Sequence, residues 1–364
     1  MKCVFPCCSE RAVQSHTISK ENALRSISKN GEVLTFKPLI KEGVRILEPK
    51  YVGIGDATTF RGFCKKHEEI FERIDNGLFE TEYDLTVQLL RSIGWWRSME
   101  TERSQLIEDH QKTILTHENE IYEKLGLTKM SELTNVYDTG ISLTNEMYMD
   151  LASFVDNKKE ELEQKLIAGR KVLKLGKWTI LYCHLNFQIP LALSSRHPFR
   201  LGEDIFCIHW TVVPHNAETE IVIFLDADGI NHHLGEDCVE KNWSYRATND
   251  LAILETVEAA MASSEFWYIN PDTYEGLSDR KKENLKYDVR YKCMQSPVWE
   301  NIDYTVFEKM WMELAKKEND LKIINAAKEK MMLIPQELTK DDWNIAEAKL
   351  SYEMFNIYHT GMHF

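Results

Sequence analysis

Two stretches decide how the N-terminus of this 364-residue chain folds: MKCVFPCCSERAVQSH, residues 1–16, and ATTFRGFCKKHEEIF, residues 57–71. The first crowds three cysteines and a histidine together, and the second adds one Cys and one His beyond a long gap. The chain's eight cysteines are too sparse for a disulfide scaffold. A Cys/His cluster in such a chain is more typical of a metal site.

The predicted metal ligands form two close pairs. Cys3 and Cys8 make the first pair, and Cys64 and His67 make the second. A structural zinc ion takes four tetrahedral ligands, usually as two such pairs brought together by the fold. The acidic and apolar residues after His67 predict a helix, whose first turn offers backbone amides that stabilise a thiolate. We therefore predict a zinc site formed by these four side chains.

Three alternatives to this ligand set stay open. Cys7 could replace Cys8, because Cys3-x3-Cys7 is a competing spacing. His16 could replace one of the cysteines as a ligand. All of these residues could instead fill a small core without a metal, since free cysteine is among the most buried residue types.

The N-terminal segment is basic, whereas the rest of the chain is acidic. Residues 1–67 contain 12 Lys and Arg against 6 Asp and Glu, a net charge of +6; the whole chain carries −14, which leaves −20 for the remainder. An acidic chain disfavours loose binding to nucleic acid or to an anionic membrane, but this argument does not apply to the basic segment. Because no apolar run is long enough to span a bilayer and no signal segment is apparent, we expect a cytoplasmic protein with no membrane partner.

The fold class predicted from the sequence is α+β, in three parts. Residues 1–78 are expected to form a small zinc module, 79–177 a helical region, and 178–364 an antiparallel sheet flanked by helices. The first part is short and interrupted by turn residues, so a metal could replace a large core there.

Periodicity places the main elements of the second and third parts. Apolar residues recur every three or four positions over 85–99 and over 162–173, which predicts helices. A strand is expected over 220–225, and its continuously apolar run over 221–225 predicts that it is central. Further strands are expected over 178–190 and 204–214, and further helices from Thr248, over 304–315, over 321–333 and from Thr339.

The order of features in the N-terminal part resembles the treble-clef zinc fold of HNH-type nucleases. The shared features are a cysteine pair, a short hairpin that ends in a histidine and an apolar residue, a long insertion, and a Cys-x-x-His that opens a helix. The resemblance covers about residues 1–75, a fifth of the chain. It implies that the two pairs named above are structural zinc ligands and that His16 is the general base.

Three departures from the family pattern bear on the activity. The family usually has Asp-His or His-His where this chain has Ser15-His16, so the acidic partner is missing. Glu68 stands where an Asn commonly follows the final zinc pair, and the last His of that helix has no clear counterpart. These departures argue against DNA cleavage by a single Mg²⁺ ion, and an HNH-type DNA endonuclease is kept as an alternative.

Cleavage of RNA needs less metal chemistry, because the 2′-hydroxyl is itself the nucleophile. A base must take its proton, and cations must stabilise the developing negative charge. An unperturbed histidine titrates at about pH 6.5, so His16 could be that base near neutrality. We expect Lys20, Arg25 and Arg61 to supply the positive charge. RNA, in preference to DNA, is thus the predicted partner of the zinc module.

The arrangement of a small zinc module before a larger region also resembles bacterial zinc-finger ribonucleases of antiphage defence, including the ring-activated type. The resemblance implies an endoribonuclease that acts as a regulated effector, with a C-terminal region that senses a protein activator and forms a homo-oligomer. The acidic body could mask the basic module until such a partner displaces it. The main non-enzymatic alternative is an adaptor whose zinc module only binds nucleic acid or protein.

Three other clusters have both a chemical and a structural interpretation. Cys207 and His209 would share one face of a strand, but two ligands are half a metal site and a buried core pair is favoured. The stretch from Asp226 to Cys238 could form an enzyme centre, although Asp-Gly after a strand is also what a turn needs. The Trp95-Trp96 pair could stack on bases, but in a helical stripe tryptophan more often packs.

Overall fold

The structure is a computed structural model that describes residues 1–41, 44–99, 134–157, 159–166, 170–201, 204–264, 266–295, 302–335, 337–339 and 342–343. At its centre lies an eight-stranded sheet in which every neighbouring pair is antiparallel, in the order β3-β2-β10-β7-β8-β9-β6-β5. These strands are β2 (Glu32–Lys41), β3 (Val44–Gly53), β5 (Arg170–Leu175), β6 (Trp178–Leu185), β7 (Leu191–Leu201), β8 (Asp204–Pro214), β9 (Thr219–Leu225) and β10 (Trp267–Ile269).

Two short strands form a separate ribbon near the N-terminus. Strand β1 (Gln14–His16) pairs antiparallel with β4 (Thr59–Arg61). The chain between them contains a short helix and the hairpin β2–β3, which corresponds to the long insertion expected from the sequence. A helix follows the ribbon directly, from Lys65 onward.

The helices, in chain order, are α1 (Lys20–Leu24, continued by Arg25–Ile27), α2 (Lys65–Glu68, continued by Glu69–Phe71 and Glu72–Asp75), α3 (82–99), α4 (Thr134–Asn157), α5 (Lys159–Leu162), α6 (Ala227–Leu234), α7 (Cys238–Ala247), α8 (Asp250–Ala262), α9 (Pro271–Glu275), α10 (Asp279–Gln295), α11 (Glu308–Lys317) and α12 (Leu321–Met332). None of those in the described ranges is both long enough and apolar enough to cross a bilayer.

The central sheet is covered on both faces, and neighbouring residues of β9 show this. Ile223 belongs to a core that includes Trp210 and residues of α8, whereas Phe224 belongs to a second core that includes Leu89 of α3. Side chains alternate between the faces of a strand, so a strand covered on both sides reads as continuously apolar. All seven residues of β9 are buried, and the prediction of a central strand there is confirmed.

The predicted mixed fold with an antiparallel sheet is confirmed. Some of the individual helices and strands match their predicted bounds, and others do not. Strand β8 has the predicted bounds, and β6 covers the first two thirds of its predicted range. The helix predicted from Thr248 is α8, which is capped by Asn249. The helical prediction is wrong over 170–175, where β5 pairs with β6. The helices expected over 304–315 and 321–333 are α11 and α12.

One further prediction falls partly outside the described residues, and the division into three parts is not tested by the structure. Thr339 and Asp342 bond as a helix start would, but the predicted helix beyond them lies outside the described residues. The division into 1–78, 79–177 and 178–364 stays a prediction. Within the described chain, the hairpin β2–β3 of the first part joins the sheet of the third part through the pair Leu34 and Ile269.

A glycine marks the contact between α3 and the N-terminal part, and it supports a stability prediction. A Cβ at Gly94 would lie 2.5 Å from the Phe63 ring and 3.2 Å from the Tyr148 ring. Alanine usually stabilises a helix over glycine by about 0.5–1 kcal/mol. Overpacking a core costs about 1–3 kcal/mol. We therefore expect Gly94→Ala to lower the free energy of unfolding by about 1–2 kcal/mol in urea titrations.

The control for that substitution is Gly77→Ala, because a methyl group added at Gly77 meets nothing within 4 Å. A Gly94→Ala protein as stable as the Gly77→Ala protein would mean that α3 does not approach Phe63 as closely as the structure shows.

Candidate metal centre

The four predicted ligands lie together, and their donor atoms are all within 4.8 Å of one another. Cys8 Sγ is 3.8 Å from Cys64 Sγ, and His67 Nδ1 is 3.3 Å from both Cys3 Sγ and Cys64 Sγ. Three sulfurs and one imidazole nitrogen at these separations could hold a metal ion. In the described part of the chain, this is the one group of three or more such residues found close enough to do so.

The local backbone positions each of the four side chains. The turn that carries Cys3 and Cys8 is pinned to the ribbon by the Val4 amide, which donates to the Gly62 carbonyl at 2.7 Å. Cys64 directly precedes α2, at its N-cap position, and His67 lies in the first turn of that helix, as predicted. The His67 ring stacks on Phe5, with centroids 4.1 Å apart and planes 15° apart, so Nδ1 is turned toward the sulfurs.

Burial and hydrogen bonding push the thiol pKa values in opposite directions. Burial raises the pKa of Cys3 to about 12. Burial also acts to raise the pKa of Cys64, but hydrogen bonds from the His67 amide, with the Cys8 and Cys3 side chains and from the Lys66 amide together outweigh it, so the net shift is downward. A buried thiol with a raised pKa binds a metal only by releasing its proton, which couples ion binding to pH.

Cys7 lies outside this cluster. It is exposed, and its backbone φ of 59° places it in the left-handed region at the turn between the two ligands. The fold therefore brings Cys8, and not Cys7, together with Cys3. His16 is also not among the four clustered residues.

His16 ends β1, opposite Thr59 of β4. Its Nε2 atom is buried and has no hydrogen-bond partner among the residues that the structure describes. Burial lowers the pKa of His16 below 6.5, and the Arg91 guanidinium and the Lys20 ammonium lower it further, whereas a hydrogen bond with the Gly55 backbone opposes them. Buried polar atoms in folded proteins are nearly always hydrogen-bonded, so an orphaned ring nitrogen requires an explanation.

A buried arginine from α3 lies near His16. Arg91 donates through Nη1 and Nη2 to the two carboxylate oxygens of Asp75, at 2.7 and 2.9 Å. Its side chain is only 2% exposed, and its guanidinium lies 4.6 Å from the centre of the Phe71 ring. The sequence contained no signal for Arg91, because α3 is distant in sequence from the ribbon it approaches.

Ser15 and Glu68 stand at two of the positions where the chain departs from the HNH pattern. Ser15 is buried and its hydroxyl accepts from the Phe63 amide at 3.4 Å. Burial raises the pKa of Glu68, against a hydrogen bond with the Ser15 side chain that lowers it. Ser15 therefore ties β1 to α2, and its side chain is not directed as an acidic partner of His16 would be.

The three cations predicted to assist His16 differ in their surroundings. Lys20 and Arg25 both form ion pairs with Glu21. Arg61 is exposed and, in the described chain, has no carboxylate within ion-pair distance. Their assignment as catalytic residues stays a prediction, with Arg61 the cation available to bind an anion.

The side chains of the other sequence clusters contact neighbouring residues of the fold. Cys207 Sγ lies 3.7 Å from His209 Nε2 in a buried pair. Asp226 caps α6 by accepting from the Gly229 amide, and His233 bonds with Asp204 at 2.8 Å. The Trp95-Trp96 pair packs on Phe266, with ring centroids 4.7 and 4.9 Å away.

Comparison with known proteins finds no matching family model, no matching curated protein and no matching solved structure.

Proposed function

We propose that the chain is a zinc-stabilised nuclease of HNH-like, treble-clef type that cleaves RNA in preference to DNA, with His16 as its general base. The order of the elements supports this proposal: a turn with two cysteines, the ribbon β1–β4 with its insertion, and then α2 with Cys64 and His67 at its start. That order is the one that the resemblance implies for a treble clef.

Zinc is the metal that the donor set fits best. Two sulfurs of a tetrahedral site with Zn–S distances of about 2.3 Å lie about 3.8 Å apart. Cys8 and Cys64 have this separation, at 3.8 Å. Four protein ligands close a zinc site, so the ion would stabilise the fold and leave the chemistry to other residues.

The observation that carries the catalytic proposal is the orphaned Nε2 of His16. It lies on the ribbon next to the metal module, in the position of the general base in the family that the chain resembles. In the proposed step, RNA binding exposes Nε2, which takes the proton of the RNA 2′-hydroxyl. The 2′-oxygen bonds to phosphorus, the bond to the 5′-oxygen breaks, and that oxygen takes a proton from solvent. Arg61 would bind the phosphate as negative charge develops.

The test compares wild type with His16→Ala on end-labelled RNA and DNA of the same sequence. We expect wild type to cut RNA to 2′,3′-cyclic phosphate ends and His16→Ala to be at least about a hundredfold slower. The control is His232→Ala, which removes an exposed histidine of α6 and also tests the cluster from Asp226 to Cys238. A non-catalytic adaptor predicts no cleavage, and equal cutting by wild type and His16→Ala would reject His16 as the base.

The pH dependence of cleavage follows from the lowered pKa of His16. Because the neutral ring is the base, the rate should fall as pH drops through the pKa of His16. That pKa lies below 6.5, so the acid limb of the rate profile should have its midpoint below pH 6.5. Initial rates across pH 4.5–8 with a fixed RNA measure it, and a midpoint at or above 6.5 would contradict the assignment.

The C-terminal sheet and helices are proposed to regulate this activity by assembling copies of the chain or by binding a protein activator. Hydrogen bonds between the two regions support the proposal. Asn22 of α1 donates to His215, just after β8, at 3.0 Å, and the Phe79 amide donates to Glu220 of β9 at 2.9 Å. Such contacts could carry a change in the sheet to the ribbon.

A further inference from the structure

Helix α3 contacts the end of β1 through a side chain that lies one turn before Arg91. Gln88 Nε2 donates to the Thr17 carbonyl at 2.9 Å, and Thr17 directly follows His16. Residues three apart on a helix are neighbours on its surface, so Arg91 lies on the same side of α3 as Gln88. The helix therefore brings Arg91 toward the proposed general base, although it lies outside the predicted zinc module of residues 1–78.

The Arg91 guanidinium is held in place, and one of its hydrogens is left unpaired. Nη1 and Nη2 donate to the two carboxylate oxygens of Asp75, at 2.7 and 2.9 Å. Asp75 is fixed in turn, because its backbone carbonyl accepts from Ser19 Oγ at 2.8 Å. The Nε atom of Arg91 is buried and has no hydrogen-bond partner among the described residues. Leaving a buried donor unpaired is costly, so this atom requires an explanation.

His16 offers the matching acceptor. Burial lowers its pKa most, and the Arg91 guanidinium lowers it next, ahead of the Lys20 ammonium. A hydrogen bond with the Gly55 backbone and the Asp75 carboxylate both raise the pKa. The Gly55 bond thus has the effect of a ring N–H that donates to a carbonyl. Because Nε2 has no partner in the described chain, the donating atom is Nδ1 and Nε2 carries a free lone pair.

An unpaired donor and an unpaired acceptor in the same part of the fold define the ligand that would satisfy both. Such a ligand presents an acceptor to Arg91 Nε and a hydrogen-bond donor to His16 Nε2. A metal cation would be repelled by the guanidinium, and an anion without a donor would satisfy only Arg91. In RNA the ribose 2′-hydroxyl lies next to the 3′-phosphate and supplies both groups, whereas DNA lacks the hydroxyl.

We propose that Arg91 is a catalytic residue of the proposed nuclease, in which Nε donates to a non-bridging oxygen of the scissile phosphate while His16 Nε2 accepts from the adjacent 2′-hydroxyl. The inference rests on the proposed function and adds to it a residue and a reason for the preference for RNA. Both atoms are buried in the free protein, so RNA exposes them on binding.

The role of Arg91 in the reaction is electrostatic. The 2′-oxygen bonds to phosphorus and the bond to the 5′-oxygen breaks, while Arg91 keeps its own proton and stabilises the charge on the phosphate oxygens. Since Arg91 belongs to α3, the active site is incomplete without that helix.

The kinetic test is Arg91→Lys in the full-length protein. Lysine keeps the positive charge but lacks the Nε donor and the planar fork. Circular dichroism establishes that the variant folds, and initial rates with end-labelled RNA give kcat/KM. We expect kcat/KM to fall at least about a hundredfold, which is the usual cost of removing one donor to a developing oxyanion.

Arg73→Lys is the matched control, because Arg73 also joins α2 to α3 by ion pairing. Its Nε pairs with Asp84 of α3, and its Nη1 pairs with Glu163 at 3.0 Å. The control therefore makes the same chemical change at another contact between the two helices. It should lower the melting temperature but leave kcat/KM within about twofold of wild type. Equal losses of kcat/KM in the two variants would reduce Arg91 to a structural clamp and overturn the proposal.

A binding experiment on wild type tests the pair of atoms without cleavage or substitution. Uridine 3′-monophosphate presents the hydroxyl and the phosphate together, and 2′-deoxyuridine 3′-monophosphate presents the phosphate alone. In isothermal titration calorimetry the deoxynucleotide should bind at least about tenfold more weakly, because it leaves His16 Nε2 unpaired. Arg91→Lys should weaken binding of the uridine nucleotide about tenfold or more. Equal affinities of wild type for the two nucleotides would overturn the proposal even if Arg91→Lys does not fold.

The outcomes separate this proposal from the proposed function. Cleavage by wild type with equal kcat/KM for Arg91→Lys and Arg73→Lys would retain the nuclease and reject Arg91 as a catalytic residue. Nucleotide binding that needs both the 2′-hydroxyl and Arg91, without any cleavage by wild type, would retain the ligand site and reject the nuclease.

Discussion

Replacing Cys8 with serine is expected to remove about one metal ion per chain and to unfold the N-terminal module. Cys8 Sγ lies 3.8 Å from Cys64 Sγ inside the four-residue cluster. Three remaining ligands leave the site open, and serine is a poor substitute for a thiolate. The free energy of structural zinc binding, about 10–16 kcal/mol in zinc-finger peptides at pH 7, is coupled to folding, so losing the ion removes much of what holds a small module together.

The neighbouring residue provides a matched control. Cys7→Ser makes the same chemical change one position away, at an exposed side chain outside the cluster. Its effect on the free energy of unfolding should stay within about 0.5 kcal/mol, because surface substitutions rarely cost more. Metal content by mass spectrometry and thermal unfolding by circular dichroism measure both variants. Metal loss from Cys7→Ser, or metal retained by Cys8→Ser, would show that the ligand set is different.

The metal cluster was largely predictable from the sequence, because ligand pairs at short spacing are a local feature. The choice between Cys7 and Cys8 was not, since both lie within reach of Cys3. The backbone decides it: Cys7 has a φ of 59° and an exposed side chain, whereas Cys8 turns inward. A left-handed residue at that position is a property of the folded turn that spacing does not show.

The strands of the central sheet were predictable where one pattern dominated. Strands β8 and β9 have strong apolar character, and their predicted and observed bounds nearly coincide. Strand β5 was wrongly assigned to a helix, because its apolar positions also fit a spacing of three or four residues from Leu162 and Leu166. A short apolar run fits both a helix and a strand, so residues 170–175 can be assigned to a strand only from their pairing with β6.

The joining of distant segments could not be predicted at all. The hairpin β2–β3 enters the sheet through one residue pair with β10, and the two partners are more than two hundred positions apart in sequence. The contacts of Glu220 are a second example, because the sequence pattern identifies it only as one residue of a mostly apolar strand. Its partners come from β6, from the residue after β8 and from the segment before α3.

Glu220→Ala is expected to lower the free energy of unfolding by about 3–5 kcal/mol, because it leaves three buried donors without an acceptor, and each unsatisfied buried donor costs about 1–3 kcal/mol. Glu220 is fully buried and accepts three hydrogen bonds: from Tyr182 Oη at 2.9 Å, from the Phe79 amide at 2.9 Å and from His215 Nε2 at 2.8 Å. Asn22 Nδ2 donates to His215 Nδ1, so the proton of that ring is on Nε2, facing the carboxylate.

The control is Glu218→Ala, which removes the same charge two positions earlier, from the turn before β9. The Glu218 side chain is 35% exposed and lies 3.6 Å from His184, an arrangement that contributes at most about 1 kcal/mol. Urea denaturation of both variants, read by circular dichroism, gives the difference. The stability of Glu220→Gln should lie between those of Glu220→Ala and Glu218→Ala. The amide keeps one acceptor oxygen but replaces the other with an NH₂ donor.

The same substitution tests whether the N-terminal module and the sheet unfold together. Asn22 belongs to the N-terminal part and Phe79 directly follows that part, whereas Tyr182, His215 and Glu220 belong to the sheet and its turn. The network around the carboxylate therefore joins the two. Glu220→Ala should therefore increase amide exchange in α1 and around Phe79 more than in β8. If exchange instead rises uniformly, or if the cost does not exceed that of Glu218→Ala, the network stabilises one core and cannot transmit a signal between the sheet and the ribbon.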